Sequence, residues 1–231
     1  MKHEKLIIDG RECWLFAHDK AEFLLVQPAD EHDLSAMEQE VDLIAGATGK
    51  PFTLVTFKVN DWQSELTPWP APPVFGKTPF GDGASGTLSF ITFGLLPHLA
   101  STGTYRPDSM HCVLGGYSLA GLFALWCAYR TSAFRGIAAA SPSVWYPNWI
   151  DFAQENTPLA QAVYLSLGDK EEKARNPLMA QVGSHIITQH RLLIQSHIST
   201  VLEWNPGNHF VDAEKRMTRG FAWIINNFPT P

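Results

Sequence analysis

The sequence lacks a long apolar segment and has little cysteine. No run approaches the roughly 18 uninterrupted apolar residues of a membrane-spanning helix, and the N-terminal stretch MKHEKLIIDGRE returns to charge before it reaches signal-peptide length. The three cysteines, Cys13, Cys112 and Cys127, are an odd number in apolar surroundings. Because such a set does not favour a disulfide framework, we expect a soluble protein of the cytoplasm, a reducing compartment.

Runs of lysine and arginine are also absent, and the formal net charge is -6. Nucleic acids and anionic membranes require a basic patch, so neither is expected as a partner. There is no HExxH motif and no paired cysteine spacing, and GKTPFGDG lacks the strand and helix that surround a phosphate-binding loop. We therefore expect no metal and no cofactor. A small-molecule partner fits this composition, and a homo-oligomer is compatible with it.

The chain has 231 residues, 45 % of them hydrophobic and 17 % charged, which suffices for one globular domain over residues 1–231. Short apolar runs alternate with helical patterns. Strands are predicted at 23–26, 52–57, 111–116, 137–140, 163–168 and 200–204. This alternation predicts an α/β fold with a mostly parallel central sheet and helices on both faces. KLIIDG and ECWLFAH predict an antiparallel pair at the sheet edge, turned at Asp9 and Gly10.

A long polar and proline-rich connection occupies residues 58–86. Connections of this length inside a compact domain are usually functional or disordered. Ligands of open α/β sheets bind at the carboxyl ends of the strands. We therefore expect the connection to act as a loop over the site, without a separate cap domain.

The stretch GGYSLAG at 115–121 resembles the G-x-S-x-G nucleophile elbow, with Ala120 in the last position. Such a pattern arises by chance in roughly one chain in six of this length, so its context decides. A strand, HCVLGG, precedes Ser118, and a helix, SLAGLFALW, begins there. This context predicts Ser118 as a nucleophile and the N–H of Leu119 as an oxyanion donor. The alternative is a glycine bend with an N-capping serine.

A serine nucleophile needs a base and an orienting acid, which follow it in the order acid, then histidine. Asp169 and Glu171 follow the strand VYLSLG, and His209 follows TVLEW in the loop NPGNHF. Three other downstream histidines lie in a predicted helix or at its end: His185, His190 and His197. His209 is therefore the preferred base. Glu171 is the first choice for the acid, and Asp169 is the second.

Four segments, GGYSLAGLFALW, ASPSVWY at 140–146, LGDKE and GNHF, together resemble the putative-esterase branch of the α/β-hydrolases. That branch includes esterase D, feruloyl esterases and siderophore esterases. LTPWP at 66–70 resembles its D-x-T-P segment, and the likeness spans roughly residues 50–228. The resemblance implies a serine carboxylester hydrolase without a cofactor. Position by position, it implies Ser118 as nucleophile, His209 as base and Glu171 as acid.

The sequence departs from that family pattern in two places. Ala120 replaces the usual glycine, and VQPADEHD lacks the glycine-bearing oxyanion segment. Pro28 has no N–H to donate. The second oxyanion donor is therefore expected from the N–H of Gln27 or of Ala29.

Aromatic side chains cluster in the segments that follow strands. Tyr117, Trp145, Tyr146 and Trp69 are predicted to contact the substrate, with further aromatics in the long connection and at Trp149. Any single aromatic side chain more often packs in a core, but the group favours an apolar or aromatic acyl pocket. The sequence thus predicts a serine esterase. The alternatives are an acyltransferase with the same triad, or an inactive binding protein, which the unusual oxyanion segment would favour.

Overall fold

The computed structural model describes residues 1–228, except for the side chain of His32, and the last three residues of the predicted domain lie outside this part. One sheet contains eight strands in the order β1-β2-β4-β3-β5-β6-β7-β8. They are β1 (Lys2–Ile8), β2 (Arg11–Ala17), β3 (Phe23–Ala29), β4 (Phe52–Lys58), β5 (His111–Tyr117), β6 (Gly136–Ala140), β7 (Ala162–Gly168) and β8 (Ser199–Asn205). The β1-β2 and β2-β4 pairs are antiparallel, and all other neighbours are parallel. The predicted mostly parallel sheet and the edge hairpin turned at Asp9 and Gly10 are confirmed.

Helices cover both faces of this sheet. They are α1 (Glu31–Thr48), α2 (Trp62–Glu65), α3 (Ala84–Ser89), α4 (Leu96–Ser101), α5 (Leu119–Arg130), α6 (Trp149–Glu155), α7 (Val182–Gln195) and α8 (Ala213–Asn227), with a π-helical segment (Phe90–Leu95) that joins α3 to α4. One apolar cluster contains Met37 of α1 and Phe221 of α8, and another contains Leu122 of α5. None of the helices in residues 1–228 has the length and apolar character needed to cross a membrane.

Helix α1 follows β3 with only Asp30 between them. The Asp30 carboxylate accepts the N–H of Asp33 at 2.9 Å, and the Asp33 carboxylate accepts the N–H of Asp30 at 3.2 Å. This capping box allows α1 to begin directly after β3, because it satisfies the backbone N–H groups of Asp30 and Asp33. The chain therefore has no room for a glycine-bearing loop between β3 and α1.

The long connection after β4 is anchored near the carboxyl end of β6. It folds back on itself through a bridge between Ala71 and Phe80. The indole N–H of Trp69 donates to the carbonyl of Pro147 at 2.9 Å, and the hydroxyl of Tyr146 donates to the carbonyl of Trp69 at 2.5 Å. The connection is thus tied to the segment that follows β6, at the edge where strands end.

Candidate active site

Ser118 lies in a tight turn between β5 and α5. Its backbone has φ 57° and ψ −119°, a conformation that L residues rarely adopt and that a nucleophile elbow requires. The N–H of Ser118 donates to the carbonyl of Ala140 at 3.2 Å, and its carbonyl accepts from Ser143 at 3.0 Å. These bonds hold the strained turn between two strand ends and leave the side chain half-buried.

Gly116 allows β5 and α5 to approach each other below the turn. A Cβ at this position would lie 2.3 Å from the backbone carbonyl carbon of Ala120. Ala120 itself is fully buried. The methyl group that replaces the usual glycine at position 120 is therefore accommodated because residue 116 has no side chain.

Gly116→Ala is expected to lower the free energy of unfolding by about 3 kcal/mol, because the new methyl group must push α5 away from β5. Denaturant unfolding followed by circular dichroism measures this loss. The matched control is Gly86→Ala in α3, where a Cβ meets no atom within 4 Å. Alanine there should stabilise the helix by up to about 1 kcal/mol. Wild-type stability of Gly116→Ala would contradict the close approach.

The structure brings Ser118, His209 and Glu171 together at the carboxyl edge of the sheet. Nε2 of His209 lies 3.0 Å from Oγ of Ser118, and Nδ1 of His209 lies 2.7 Å from Oε2 of Glu171. A carboxylate only accepts hydrogen bonds, so Nδ1 carries the proton and Nε2 is free to accept one. The arrangement suits a nucleophile, a base and an acid that orients the base.

The two candidate acids have different partners. Glu171 is buried in a 3₁₀ turn (Glu171–Lys173) and faces the His209 ring. Asp169 is exposed, and its Oδ1 accepts the N–H of Gly207 at 2.8 Å. Asp169 therefore holds the loop that carries His209, whereas Glu171 contacts the ring.

The second oxygen of Glu171 accepts three hydrogen bonds. Oε1 receives the N–H of Gly168 at 2.7 Å, the hydroxyl of Ser141 at 2.8 Å and Nη1 of Arg216 at 2.8 Å. Burial alone would raise the pKa of the Glu171 carboxyl, but its hydrogen bond with His209, the histidine charge, and the Gly168 and Ser141 donors hold that pKa below its usual value. Glu171 is therefore ionised at neutral pH.

Leu119 and Ser143 place groups that can donate hydrogen bonds beside Ser118. Leu119 opens α5, so its N–H has no acceptor within the helix and points out from the positive helix end. This geometry fits the predicted oxyanion donor. The buried hydroxyl of Ser143 lies 3.3 Å from Oγ of Ser118, and sequence reasoning had missed this neighbour.

The structure argues against Gln27 as the second oxyanion donor. The carbonyl of Gln27 accepts from the Thr56 hydroxyl of β4 at 2.9 Å, and that of Ala29 accepts from the N–H of Val59, just beyond β4, at 2.9 Å. The N–H and C=O of one strand residue point to the same side, so the Gln27 and Ala29 amides also face the β4 side. Between them, Pro28 has no N–H to donate. The alternation of the strand thus directs the available amides away from Ser118.

Three of the predicted substrate contacts belong to an aromatic cluster. Trp145 is 5 % exposed and Tyr146 is 1 % exposed, and both rings pack against Phe80. Trp69 is half-buried and packs against Tyr146. Trp145 and Tyr146 have little surface left for a substrate, so the structure favours the packing interpretation for them.

Arg216 and Tyr117 bond to each other and to the backbone of the loop that carries His209. The hydroxyl of Tyr117 donates to the carbonyl of His209 at 2.6 Å and accepts from Nη1 of Arg216 at 3.2 Å, so this predicted substrate contact is engaged inside the protein. Arg216 is 1 % exposed and was missed by sequence reasoning. The available signal was an arginine one turn before Gly220, on the buried face of an amphipathic helix.

The three cysteines do not contribute a nucleophile. All are buried and unpaired, and burial raises the pKa of each thiol, to about 12 for Cys13. Within residues 1–228, no three His, Cys, Asp or Glu side chains are grouped so as to hold a metal ion. The chemistry at this edge of the sheet is that of a serine, a histidine and a carboxylate.

A comparison with protein-family models matches residues 31–203 to the family described as "Putative esterase". The chain belongs to this family. The matched range contains Ser118 and Glu171 and ends before His209. Membership makes the chain a carboxylic ester hydrolase of the α/β-hydrolase superfamily and confirms the predicted resemblance.

Solved structures share the fold of this esterase. An IroE-like serine hydrolase from Shewanella oneidensis has a TM-score of 0.80 and 15 % identity, over 100 % of this chain and 82 % of its own. The siderophore hydrolase EstA from Aspergillus nidulans has a TM-score of 0.71 and 16 % identity, and the match covers 99 % of this chain and 95 % of EstA. The enterobactin esterase FES from Shigella flexneri has a TM-score of 0.65 and 16 % identity, and the match covers 96 % of this chain and 59 % of FES. No curated protein matches the sequence.

Proposed function

We propose that this esterase hydrolyses a small to medium carboxylic ester with an apolar or aromatic acyl group, through an acyl-enzyme on Ser118. One observation carries the proposal. The continuous hydrogen-bonded path runs from Oγ of Ser118 to His209 over 3.0 Å and from His209 to Glu171 over 2.7 Å. These distances support proton transfer from the hydroxyl to a base that is already oriented.

Each step of the reaction uses groups of this path. Oγ of Ser118 attacks the ester carbonyl carbon while Nε2 of His209 takes the hydroxyl proton, and Glu171 stabilises the resulting imidazolium. The N–H of Leu119 donates to the oxyanion of the tetrahedral intermediate. His209 then returns the proton to the departing alcohol. Water attacks the acyl-enzyme with His209 again as base, and the acid is released with Ser118 restored.

Phe210 supports an apolar or aromatic substrate. Its side chain is 89 % exposed and directly follows His209, whose ring it meets edge-to-face at 5.4 Å between centroids. An exposed aromatic beside the base offers apolar contact to a bound group. FES was solved in the presence of 2,3-dihydroxy-N-benzoyl-glycine, an aromatic acyl compound. The net charge of -6 favours an uncharged substrate, and three unpaired cysteines support a cytoplasmic location.

The first test is intact-mass spectrometry after a fluorophosphonate probe, on wild type and on Ser118→Ala. We expect a single adduct on wild type, none on the variant, and wild-type turnover of p-nitrophenyl esters. A panel of acetyl, butyryl, octanoyl and benzoyl esters then ranks the acyl preference. A preference for acetyl over the butyryl, octanoyl and benzoyl esters would contradict the proposed apolar or aromatic acyl group.

Two other outcomes would replace the proposal. If a labelled acyl group appears on an added alcohol rather than as free acid, the enzyme is an acyltransferase. If wild type forms neither adduct nor product, the chain binds a ligand without turning it over. Product analysis with and without the alcohol separates these cases.

A further inference from the structure

Arg216 of α8 is a charged side chain in the interior of the protein. It is 1 % exposed, and its guanidinium makes an ion pair with Glu171 at 2.8 Å. Removing a guanidinium from water is costly unless its donors are satisfied in good geometry. A buried arginine that serves only stability is often replaceable by apolar residues, so the particular acceptors of Arg216 indicate what else it does.

The hydrogen bonds of this guanidinium reach the ends of four strands. Nη1 donates to Glu171, to the Ser141 hydroxyl at 2.9 Å and to the Tyr117 hydroxyl at 3.2 Å. Nη2 donates to the carbonyl of Asn208 at 2.9 Å and to that of Pro206 at 3.3 Å. These acceptors follow or end β5, β6, β7 and β8. One planar group therefore fixes the separation between the acid and the loop that carries His209.

Gly168 shows how tightly this arrangement is packed. A Cβ at this position would lie 2.9 Å from Nη2 of Arg216, 3.0 Å from Oε1 of Glu171 and 2.4 Å from the carbonyl of Gly207. The bare backbone lets the N–H of Gly168 and the guanidinium share one carboxylate oxygen. The other oxygen, Oε2, is thereby left to His209.

We propose that Arg216 is a positioning residue: it aims Glu171 at His209, holds the His209 loop, and offsets the Glu171 charge so that His209 stays a base. This inference rests on the proposed function. The titratable groups that contact His209 directly are Glu171 and the ring of Tyr117. Arg216 acts through both and through the neighbouring carbonyl of Asn208. Without its positive charge, the carboxylate would favour the protonated imidazole, and the base form would require a higher pH.

The experiment compares Arg216→Met and Arg216→Lys with wild type in kcat and KM across pH, using a p-nitrophenyl ester. We expect Arg216→Met to lower kcat about 100-fold with KM nearly unchanged, because the acid and base lose their alignment. The acid limb of its kcat/KM profile should move up by about one pH unit. Arg216→Lys keeps the charge but not the planar fork. The acid limb of the kcat/KM profile of Arg216→Lys should stay near that of wild type, while its kcat falls about tenfold.

Arg219→Met is the matched control, because Arg219 is exposed, lies on the same helix and bonds Asn205. It should leave both kcat and the acid limb unchanged. An unshifted limb in Arg216→Met would show that Arg216 has no electrostatic role and would overturn the proposal. Unchanged kcat in Arg216→Lys would overturn the positioning role. Arg216→Lys therefore still tests the proposal if Arg216→Met does not fold.

A second readout does not depend on turnover. Titration of the His209 ring protons by NMR in wild type and both variants should give a higher midpoint in Arg216→Met alone. If wild type forms no probe adduct and no product, the proposed function fails, and the titration still decides the role of Arg216. An equal midpoint in wild type and Arg216→Met would contradict the charge offset.

Discussion

His209→Ala is expected to lower kcat for ester hydrolysis by about 10⁵-fold, because Ser118 then has no base to take its proton. KM should change little, since the imidazole acts in the chemical step. Nε2 of His209 is the acceptor 3.0 Å from the hydroxyl. Initial rates with a p-nitrophenyl ester, over a range of substrate concentrations, measure both constants.

The matched control is His190→Ala on α7. His190 is half-buried beside the start of β8, at the end of the sheet opposite to Ser118. Its loss should leave kcat within about threefold of wild type, as expected for a position away from the site. Comparable losses in the two variants would point to a folding defect. A loss of less than about tenfold in His209→Ala would remove His209 from the proposed mechanism.

Glu171→Gln is expected to lower kcat by about 10⁴-fold. The reason is the environment of Oε1, which accepts three donors from Gly168, Ser141 and Arg216. A glutamine must place its carbonyl oxygen there, which turns its NH₂ toward Nδ1 of His209. The histidine then has to accept at Nδ1 and carry its proton on Nε2. In that tautomer it cannot take the proton of Ser118, although the side chain keeps its size.

Asp169→Asn tests the second candidate acid with the same chemical change. Asp169 accepts the N–H of Gly207 at 2.8 Å, and an asparagine oxygen can still accept it. We expect kcat within about fivefold of wild type, because the asparagine oxygen keeps the bond to the Gly207 N–H, although this neutral bond is weaker than the one to the carboxylate. A larger loss in Asp169→Asn than in Glu171→Gln would reverse the assignment of the acid. Both variants are measured with the ester used for His209→Ala.

Much of the site could be predicted because its chemistry follows strand ends. Ser118, Glu171 and His209 come after β5, β7 and β8, and parallel strands bring their carboxyl ends to one edge. The context of Ser118 was also informative, because the serine lies between an apolar strand and an apolar helix, as a nucleophile elbow requires. The order of the three residues along the chain, serine, then acid, then histidine, also matched the order expected for this fold.

Other features depend on which side of a strand or helix a group faces. The sequence favours Gln27 because it follows the predicted strand at 23–26, but the alternation of amides around Pro28 appears only once β3 is paired with β4. Trp145 and Tyr146 lie at the expected edge, yet they turn into an aromatic cluster with Phe80. Arg216 belongs to no sequence motif, and only the packing of α8 shows its contact with Glu171. In each case tertiary contacts override local sequence signals.

Contacts from α8, the helix that follows all eight strands, complete the candidate site. A chain that has formed the sheet through β7 holds Glu171 without His209 and without Arg216, since both follow in the sequence. The carboxylate then lacks the imidazole and the guanidinium that donate to it in the folded protein. Docking β8 and α8 brings both partners at once and joins residues 99 positions apart, Tyr117 and Arg216. The arrangement of Ser118, His209 and Glu171 is therefore complete only when β8 and α8 are both in place.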